Sequence, residues 1–217
     1  MSKKITDKDG NTYVQKKPFY KRFWFWILAI IVIFILGTAL GGNSDNSNNG
    51  STSSTKKVDG ITKSQFNAIK LSENDGTSLK NTEKQFGKKP SSTSTDTIDG
   101  IKSDMNTWDK VANSDLGSAV TIGFSNNHAI SKSIDGLKVK RANKITLSDF
   151  NSISNGMSKD DIKNKFGEPN GYSITSISGI TSEDWSYTSD IKGDTGANFI
   201  ITFQNDAVSG KTQTDMK

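Results

Sequence analysis

Residues 145–153 read Ile-Thr-Leu-Ser-Asp-Phe-Asn-Ser-Ile, and residues 61–69 repeat this pattern as Ile-Thr-Lys-Ser-Gln-Phe-Asn-Ala-Ile. In each stretch a Thr stands three positions before a Gln or an Asp, which is the spacing of a capping box at a helix N-terminus. A Phe and an Ile follow three positions apart, so they lie on one face of the helix. Each stretch therefore predicts a short amphipathic helix, beginning after Thr62 and after Thr146.

Further landmarks recur in the same order after each of these stretches. They are Phe86-Gly87 and Phe166-Gly167, then Trp108 and Trp185, then residues 120–124 and 199–203, and finally residues 129–131 and 207–209. The period is about 80 residues, which is longer than the repeats of solenoid proteins. The sequence therefore predicts two tandem copies of one small domain, at residues 58–139 and 140–217.

Each copy shows a second helix and then strands. Ser158 with Asp161 resembles another capping box, and Gly167 ends that helix. Val120, Ile122 and Phe124 alternate with small or polar residues, as expected of a half-buried strand. The predicted fold class is α+β, with a helix-helix-four-stranded antiparallel sheet in each copy.

This pattern resembles the beta-lactamase inhibitory protein (BLIP) family. In the second copy the resemblance lies in residues 146–150, 155–158, 166–169 and 203–205, with Trp185 between them. The match is to BLIP-like domains of Gram-positive surface proteins and, more distantly, to small outer-membrane assembly lipoproteins. The resemblance to the inhibitor implies a sheet face that binds a protein, with contact loops at residues 109–117 and 189–196. The sequence lacks the cysteines that form disulfides in the inhibitor.

The uncharged residues 23–42 predict a transmembrane helix, because twenty residues match a hydrocarbon core of about 30 Å. Basic residues flank the N-terminal side, so the positive-inside rule places residues 1–22 in the cytoplasm and the rest outside. A cleaved signal peptide is the alternative, although its apolar region is normally shorter. Residues 8–37 resemble an N-terminal anchor of small Gram-positive surface proteins. Residues 43–57 hold no apolar side chain and predict a disordered linker.

Composition excludes several classes of site. The formal charge of +5, from 28 basic and 23 acidic residues, comes entirely from residues 1–22. A nucleic-acid-binding domain carries its basic surface on the folded part, so no nucleic-acid partner is predicted. With no Cys and a single His, His128, the sequence predicts no disulfide framework, no metal site and no cofactor.

Catalytic patterns are also missing from the sequence. No Ser-His-Asp set and no G-x-S-x-G nucleophile elbow is present, so the chain is predicted not to be an enzyme. Glu183 and Asp184 border a strand and are interpreted as a solvated edge. A hydrolase that uses a carboxylate pair stays open as the least favoured alternative.

Five residues are candidates for binding a partner. Trp108, Trp185 and Tyr187 are proposed because Trp and Tyr are favoured interface anchors. The alternative is that the two Trp side chains cover the sheet of their own copy. Asp115 and Asp194 are proposed because they lie in the two predicted contact loops.

The resulting functional hypothesis is a membrane-anchored extracellular module that binds another protein, with an inhibitor-like role as its specific form. The alternative is a structural or wall-binding module of the cell envelope. The protein partner is not identified by the sequence.

Overall fold

The computed structural model describes residues 4–6, 12–14, 59–98 and 101–217. The chain divides into two compact units, residues 1–53 and 54–217. In the first unit β1 (Lys4–Thr6) pairs antiparallel with β2 (Thr12–Val14). The predicted membrane helix at 23–42 and the predicted linker at 43–57 lie outside the described residues. Within the described ranges, no helix has the length and apolar character needed to cross a membrane.

The second unit is built on one antiparallel sheet. Its strands follow each other in space in the same order as in the chain, so each pairs with its neighbours in sequence. They are β3 (Ser92–Ile98), β4 (Ile101–Asp109), β5 (Ala119–Ser125), β6 (His128–Ile134), β7 (Gly171–Ile177), β8 (Ile180–Tyr187), β9 (Gly193–Gln204) and β10 (Ala207–Met216).

The helices of this unit are short, and their N-terminal ends are capped by side chains. They are α1 (Lys63–Asn67), α2 (Leu79–Phe86), α3 (Leu147–Asn151) and α4 (Lys159–Phe166). The capping boxes predicted at Thr62, Thr146 and Ser158 are all present. Gly87 ends α2 with a φ of 71°, a left-handed conformation that Gly adopts without strain. These local signals in the sequence are confirmed.

The predicted fold class is wrong. Residues 131–134 of β6 pair with residues 172–175 of β7, so all eight strands belong to one sheet. The described part of the chain is mostly β, and it does not divide into two helix-helix-four-strand domains. An edge strand leaves a row of unpaired N–H and C=O groups. Two separate four-stranded sheets would have such edges at β6 and at β7, and the pairing of these two strands satisfies the backbone groups of both.

The core lies between the helices and one face of the sheet. Phe86 of α2 packs edge-on against Trp108, with ring centroids 5.1 Å apart. Phe166 of α4 packs in the same way against Tyr187, at 6.0 Å. In the sheet register Trp108 lies opposite Val120 and Tyr187 lies opposite Phe199. The structural counterpart of Trp108 is therefore Tyr187, and the sequence alignment with Trp185 was wrong.

Two lysines, the buried Lys132 and the half-buried Lys211, hold the C-terminal ends of α1 and α3. The Lys132 ammonium donates to the carbonyls of Phe66, Asn67 and Ile69, at 2.8–3.2 Å. Lys211 makes the same three bonds to Phe150, Asn151 and Ile153, at 2.8–3.1 Å. Carbonyls at a helix C-terminus have no partner within the helix, so each lysine satisfies them and ties a helix to the sheet. Burial lowers the pKa of Lys132 to about 8.

We expect Lys132→Met to lower the free energy of unfolding by about 2–4 kcal/mol, because buried carbonyls lose their donor. Lys80→Met, at an exposed position of α2, should change the free energy of unfolding by less than about 0.5 kcal/mol. Urea unfolding of residues 54–217, followed by tryptophan fluorescence, measures both variants. Equal stabilities of the two variants would contradict the capping role.

Candidate functional site

The side of the sheet away from the helices carries an unbroken row of short polar residues. Neighbouring residues of a strand point to opposite faces, so the positions that alternate with Trp108, Ile122 and Trp185 face away from the core. The register connects one such position in every strand. This hydroxyl row consists of Ser92, Thr107, Thr121, Ser133, Ser173, Asp184, Thr202 and Gly210.

A second row runs beside the first on the same face. It consists of Ser94, Met105, Gly123, Ser131, Thr175, Ser182, Gln204 and Ala207. We call the two rows together the helix-free face. Its sixteen positions hold no aromatic residue and no Lys or Arg.

Side chains on the helix-free face are closely packed. The hydroxyls of Thr107 and Thr121 lie 3.0 Å apart. A Cβ atom added to Gly123 would come within 2.3 Å of the Ser131 Oγ and 2.8 Å of the Met105 Sδ. Thr121, Ser182 and Thr202 are buried although they belong to this face. Only short side chains fit at these buried positions, and the hydroxyls of the face form a hydrogen-bonding surface.

Asp184 is the one carboxylate in this row, and it is only 2% exposed. In the register it lies between Ser173 on β7 and Thr202 on β9. Among the described residues, no group makes a hydrogen bond of acceptable geometry to either carboxylate oxygen or to the Ser182 hydroxyl. Burial raises the pKa of Asp184 to about 6, and the Glu183 charge adds to this shift. The nearby Thr202 hydroxyl acts against the shift, although its contact with the carboxylate does not have the geometry of a hydrogen bond.

Buried polar groups in proteins are nearly always hydrogen-bonded. An unpartnered carboxylate inside a row of hydroxyls is therefore costly for the fold, and such groups concentrate at functional sites. The sequence interpretation of Asp184 as a solvated edge residue was wrong. A signal was present, because Asp184 stands between Ser182 and Ser186 on the face opposite Trp185.

The three aromatic candidates lie on the other side of the sheet. Trp108 and Tyr187 are 0% exposed, and Trp185 is 5% exposed. The Trp108 Nε1 donates to the Lys88 carbonyl at 3.0 Å. Trp185 packs against Phe203 with ring centroids 4.8 Å apart. Rings buried in this way offer no surface to a partner in the folded protein, which agrees with the alternative that they cover the sheet.

The two acidic candidates lie at one end of the sheet, Asp115 in a connection and Asp194 near the start of a strand. Asp115 is exposed in the β4–β5 connection, and its carboxylate is 3.8 Å from the Lys138 ammonium. Asp194 is exposed at the start of β9 and pairs with Lys217. Since β4 and β8 run in the same direction, both residues lie beyond the same end of the strands. Their contact with a partner stays a prediction.

A separate cavity of about 300 Å³ lies on the helix side of the sheet. Its lining includes Lys159 of α4, which bridges Glu183 at 2.5 Å and Asp206 at 2.7 Å. The Trp185 Nε1 donates to Glu183 as well, at 2.5 Å. The charges of this cluster pair with one another, so we assign it to holding α4 against the sheet. Within the described ranges, no three or more His, Cys, Asp or Glu side chains cluster as a metal ion requires.

The fold and the site define a small protein with an antiparallel sheet that is backed by helices on one side and carries none of the described helices on its other, polar side. Residues 59–216 match a family described as a domain of unknown function with solved-structure structure (DUF3862), and the chain belongs to this family. No curated protein matches the sequence.

One solved structure has the same fold over most of its length. It is described as "putative beta-lactamase inhibitor protein" from Streptococcus mutans, with 27% sequence identity and a TM-score of 0.55. The match covers 70% of this chain and 94% of that chain. The similarity supports the predicted BLIP-like fold at the level of the domain.

A second structure, an extracellular protein containing a SCP domain from Bacillus anthracis, is 13% identical with a TM-score of 0.25. It covers 78% of this chain and 50% of that chain. This likeness is too weak to support any argument about fold or function.

We expect Asp184→Asn to stabilise the protein at pH 7.5. The folded carboxyl has a pKa of about 6 instead of its ordinary 3.8, so the folded state binds the proton more tightly than the unfolded state does. The contribution of the protonated Asp184 to the free energy of unfolding is therefore fully present below pH 3.8, and it is lost as the pH rises through 6 and the folded carboxyl ionises. At pH 7.5 the wild-type protein therefore carries a penalty of about 2–3 kcal/mol.

Urea unfolding between pH 4 and pH 8 measures this difference. The free-energy gap between Asp184→Asn and the wild type should open as the pH rises, whereas Asp115→Asn at an exposed position should follow the wild-type profile. A gap that stays constant with pH would show that Asp184 is not buried as an unpartnered acid.

Proposed function

We propose that residues 59–216 form an extracellular protein-binding module whose contact surface is the helix-free face. The observation that carries this proposal is the hydroxyl row, which continues through all eight strands with an unpartnered Asp184 inside it. The hydropathy of residues 23–42 and the basic residues before them support attachment to a membrane, with the module on the outer side.

The dimensions of this face suit a protein partner. Eight strands at a spacing of about 4.8 Å give a width of about 34 Å. Strands of seven residues, such as β5 and β7, add a length of about 24 Å. The product is about 800 Å², which is the area that each partner contributes to a standard protein–protein interface.

The chemistry of the face also suits a protein partner better than a glycan. Ser and Thr hydroxyls both donate and accept hydrogen bonds, so they can pair with backbone and side-chain groups of a partner. Stacking of sugar rings needs exposed aromatic side chains, and the sixteen positions of this face hold none. For this reason the wall-binding module remains the second candidate.

An inhibitor-like role is the specific form of the proposal. The Streptococcus mutans protein is described as a "putative beta-lactamase inhibitor protein", and it shares this fold. Asp115 in the β4–β5 connection and Asp194 at the start of β9 are both exposed at one end of the sheet, where a partner seated on the face would also meet them. Inhibition of a beta-lactamase is therefore the first activity to assay.

We expect Ser133→Tyr to weaken partner binding at least tenfold. Ser133 lies half-buried in the middle of the hydroxyl row, opposite Thr121 and Ser173, so a bulky ring there would hold a partner away from the sheet. Ser148→Tyr is the matched control, because Ser148 is exposed on α3 on the helix side. Both variants should keep the cooperative thermal unfolding of the wild type.

The measurement uses immobilised residues 54–217 with solubilised surface and secreted proteins, purified class A beta-lactamases and purified cell wall as separate samples. A protein that binds the wild type and Ser148→Tyr but not Ser133→Tyr supports the proposal, and its affinity is then measured. Equal binding by all three proteins excludes the helix-free face as the contact surface. Retention on cell wall alone supports the envelope alternative instead.

A further inference from the structure

We infer that the partner inserts an arginine side chain into the helix-free face, where its guanidinium pairs with the Asp184 carboxylate. This inference rests on the proposed function and names the chemistry of the partner at one position. It starts from the buried carboxylate, whose two oxygens have no hydrogen-bond partner among the described residues.

No cation of the described sheet compensates this carboxylate. On β7 the facing residues are Ser173 and Thr175, and on β9 they are Ile200, Thr202 and Gln204. On β8 itself, Ser182 and Ser186 share the face with Asp184. None of these residues carries a charge, so Asp184 has no ion-pair partner on its own side of the sheet.

The charged groups nearest in the chain lie on the opposite face. Glu183 faces the helices and pairs with Lys159. Lys132 also faces the helices, where it is fully used by the three carbonyls at the end of α1. The helix-free face therefore presents a negative charge that only a group from outside the domain can balance. Charge complementarity of this kind selects a cationic partner.

The geometry favours an arginine over a simple ion. The two Asp184 carboxylate oxygens and the Ser182 hydroxyl are unpartnered among the described residues, and the two residues lie two positions apart on the same face of β8. A guanidinium presents its donors in a planar fork that matches a carboxylate. A divalent metal ion normally needs several oxygen or nitrogen ligands, and no such cluster is present among the described residues. The side chains opposite Asp184 are the short Ser173 and Thr202, and the inference requires them to rotate aside so that the guanidinium reaches the buried carboxylate.

A peptide titration tests the inference without a known partner. The probe is acetyl-Gly-Arg-Gly-amide, and the matched peptide carries citrulline, which has the shape of arginine without its charge. Residues 54–217 serve as the protein, because this unit contains its own core and the similar Streptococcus mutans structure is almost entirely covered by the match. Amide chemical shifts of the labelled protein report where each peptide binds.

We expect the arginine peptide at pH 7.5 to shift the amides of Ser173, Asp184 and Thr202, with a dissociation constant at least tenfold lower than that of the citrulline peptide. The shifts should disappear in Asp184→Asn and persist in Asp109→Asn, whose exposed carboxylate also belongs to this side of β4. They should weaken at pH 4.5, where the carboxyl is protonated. Equal shifts from both peptides, or shifts that persist in Asp184→Asn, would overturn the inference.

A partner found through the Ser133→Tyr comparison separates this inference from the proposed function. If Asp184→Asn lowers the affinity of that partner at least tenfold, the arginine pairing is supported. If Ser133→Tyr abolishes binding while Asp184→Asn leaves it unchanged, the contact surface stands and the arginine pairing is excluded.

Discussion

The pairing of β6 with β7 is the interaction on which the rest of the structure depends. It consists of four residue pairs, from Ser131 opposite Thr175 to Ile134 opposite Tyr172. Without it, the sheet would end in two more edges, and the hydroxyl row would be cut between Ser133 and Ser173. With it, the helices share one side of a wide sheet, and the other side becomes a single surface large enough for a protein partner.

The two sides of the sheet follow different physical rules. On the helix side, large rings such as Trp108 and Tyr187 remove apolar surface from water, and Lys132 and Lys211 complete the ends of the helices. On the helix-free face, short hydroxyl side chains leave the surface polar. Asp184 is the exception to both rules, since it is buried like a core residue and charged like a surface residue. A residue that costs stability in this way is best explained by a role in binding.

The sequence was sufficient for the local elements and insufficient for their assembly. Thr62, Thr146 and Ser158 identified helix N-termini because a capping box acts within four residues of the chain. The joining of β6 to β7 was not predicted, because residues 131–134 and 172–175 have the same alternating pattern whether they pair at an edge or inside a sheet. The fold class therefore depends on the long-range pairing of β6 with β7, which the hydrophobic periodicity of the sequence does not reveal.

The burial of the aromatic candidates on the helix side of the sheet was not predicted for a related reason. Trp and Tyr are residue types that often anchor interfaces, but Trp185 is buried against Phe203, and Tyr187 is buried against Phe166 and Phe199. Asp184 was overlooked because its sequence neighbours are polar, whereas its burial comes from residues on β7 and β9 that lie far away in the chain. Only the register of the strands shows that these residues form one row.

Native-state hydrogen exchange of residues 54–217 tests the central claim most directly, because it measures the opening of each backbone hydrogen bond. The account predicts that the amides bonded between β6 and β7 open with the same free energy as those between β4 and β5 or between β8 and β9. If the β6–β7 amides exchange much faster while the other two pairs stay protected, the two halves open independently. The single sheet, and the continuous binding face built on it, would then be contradicted.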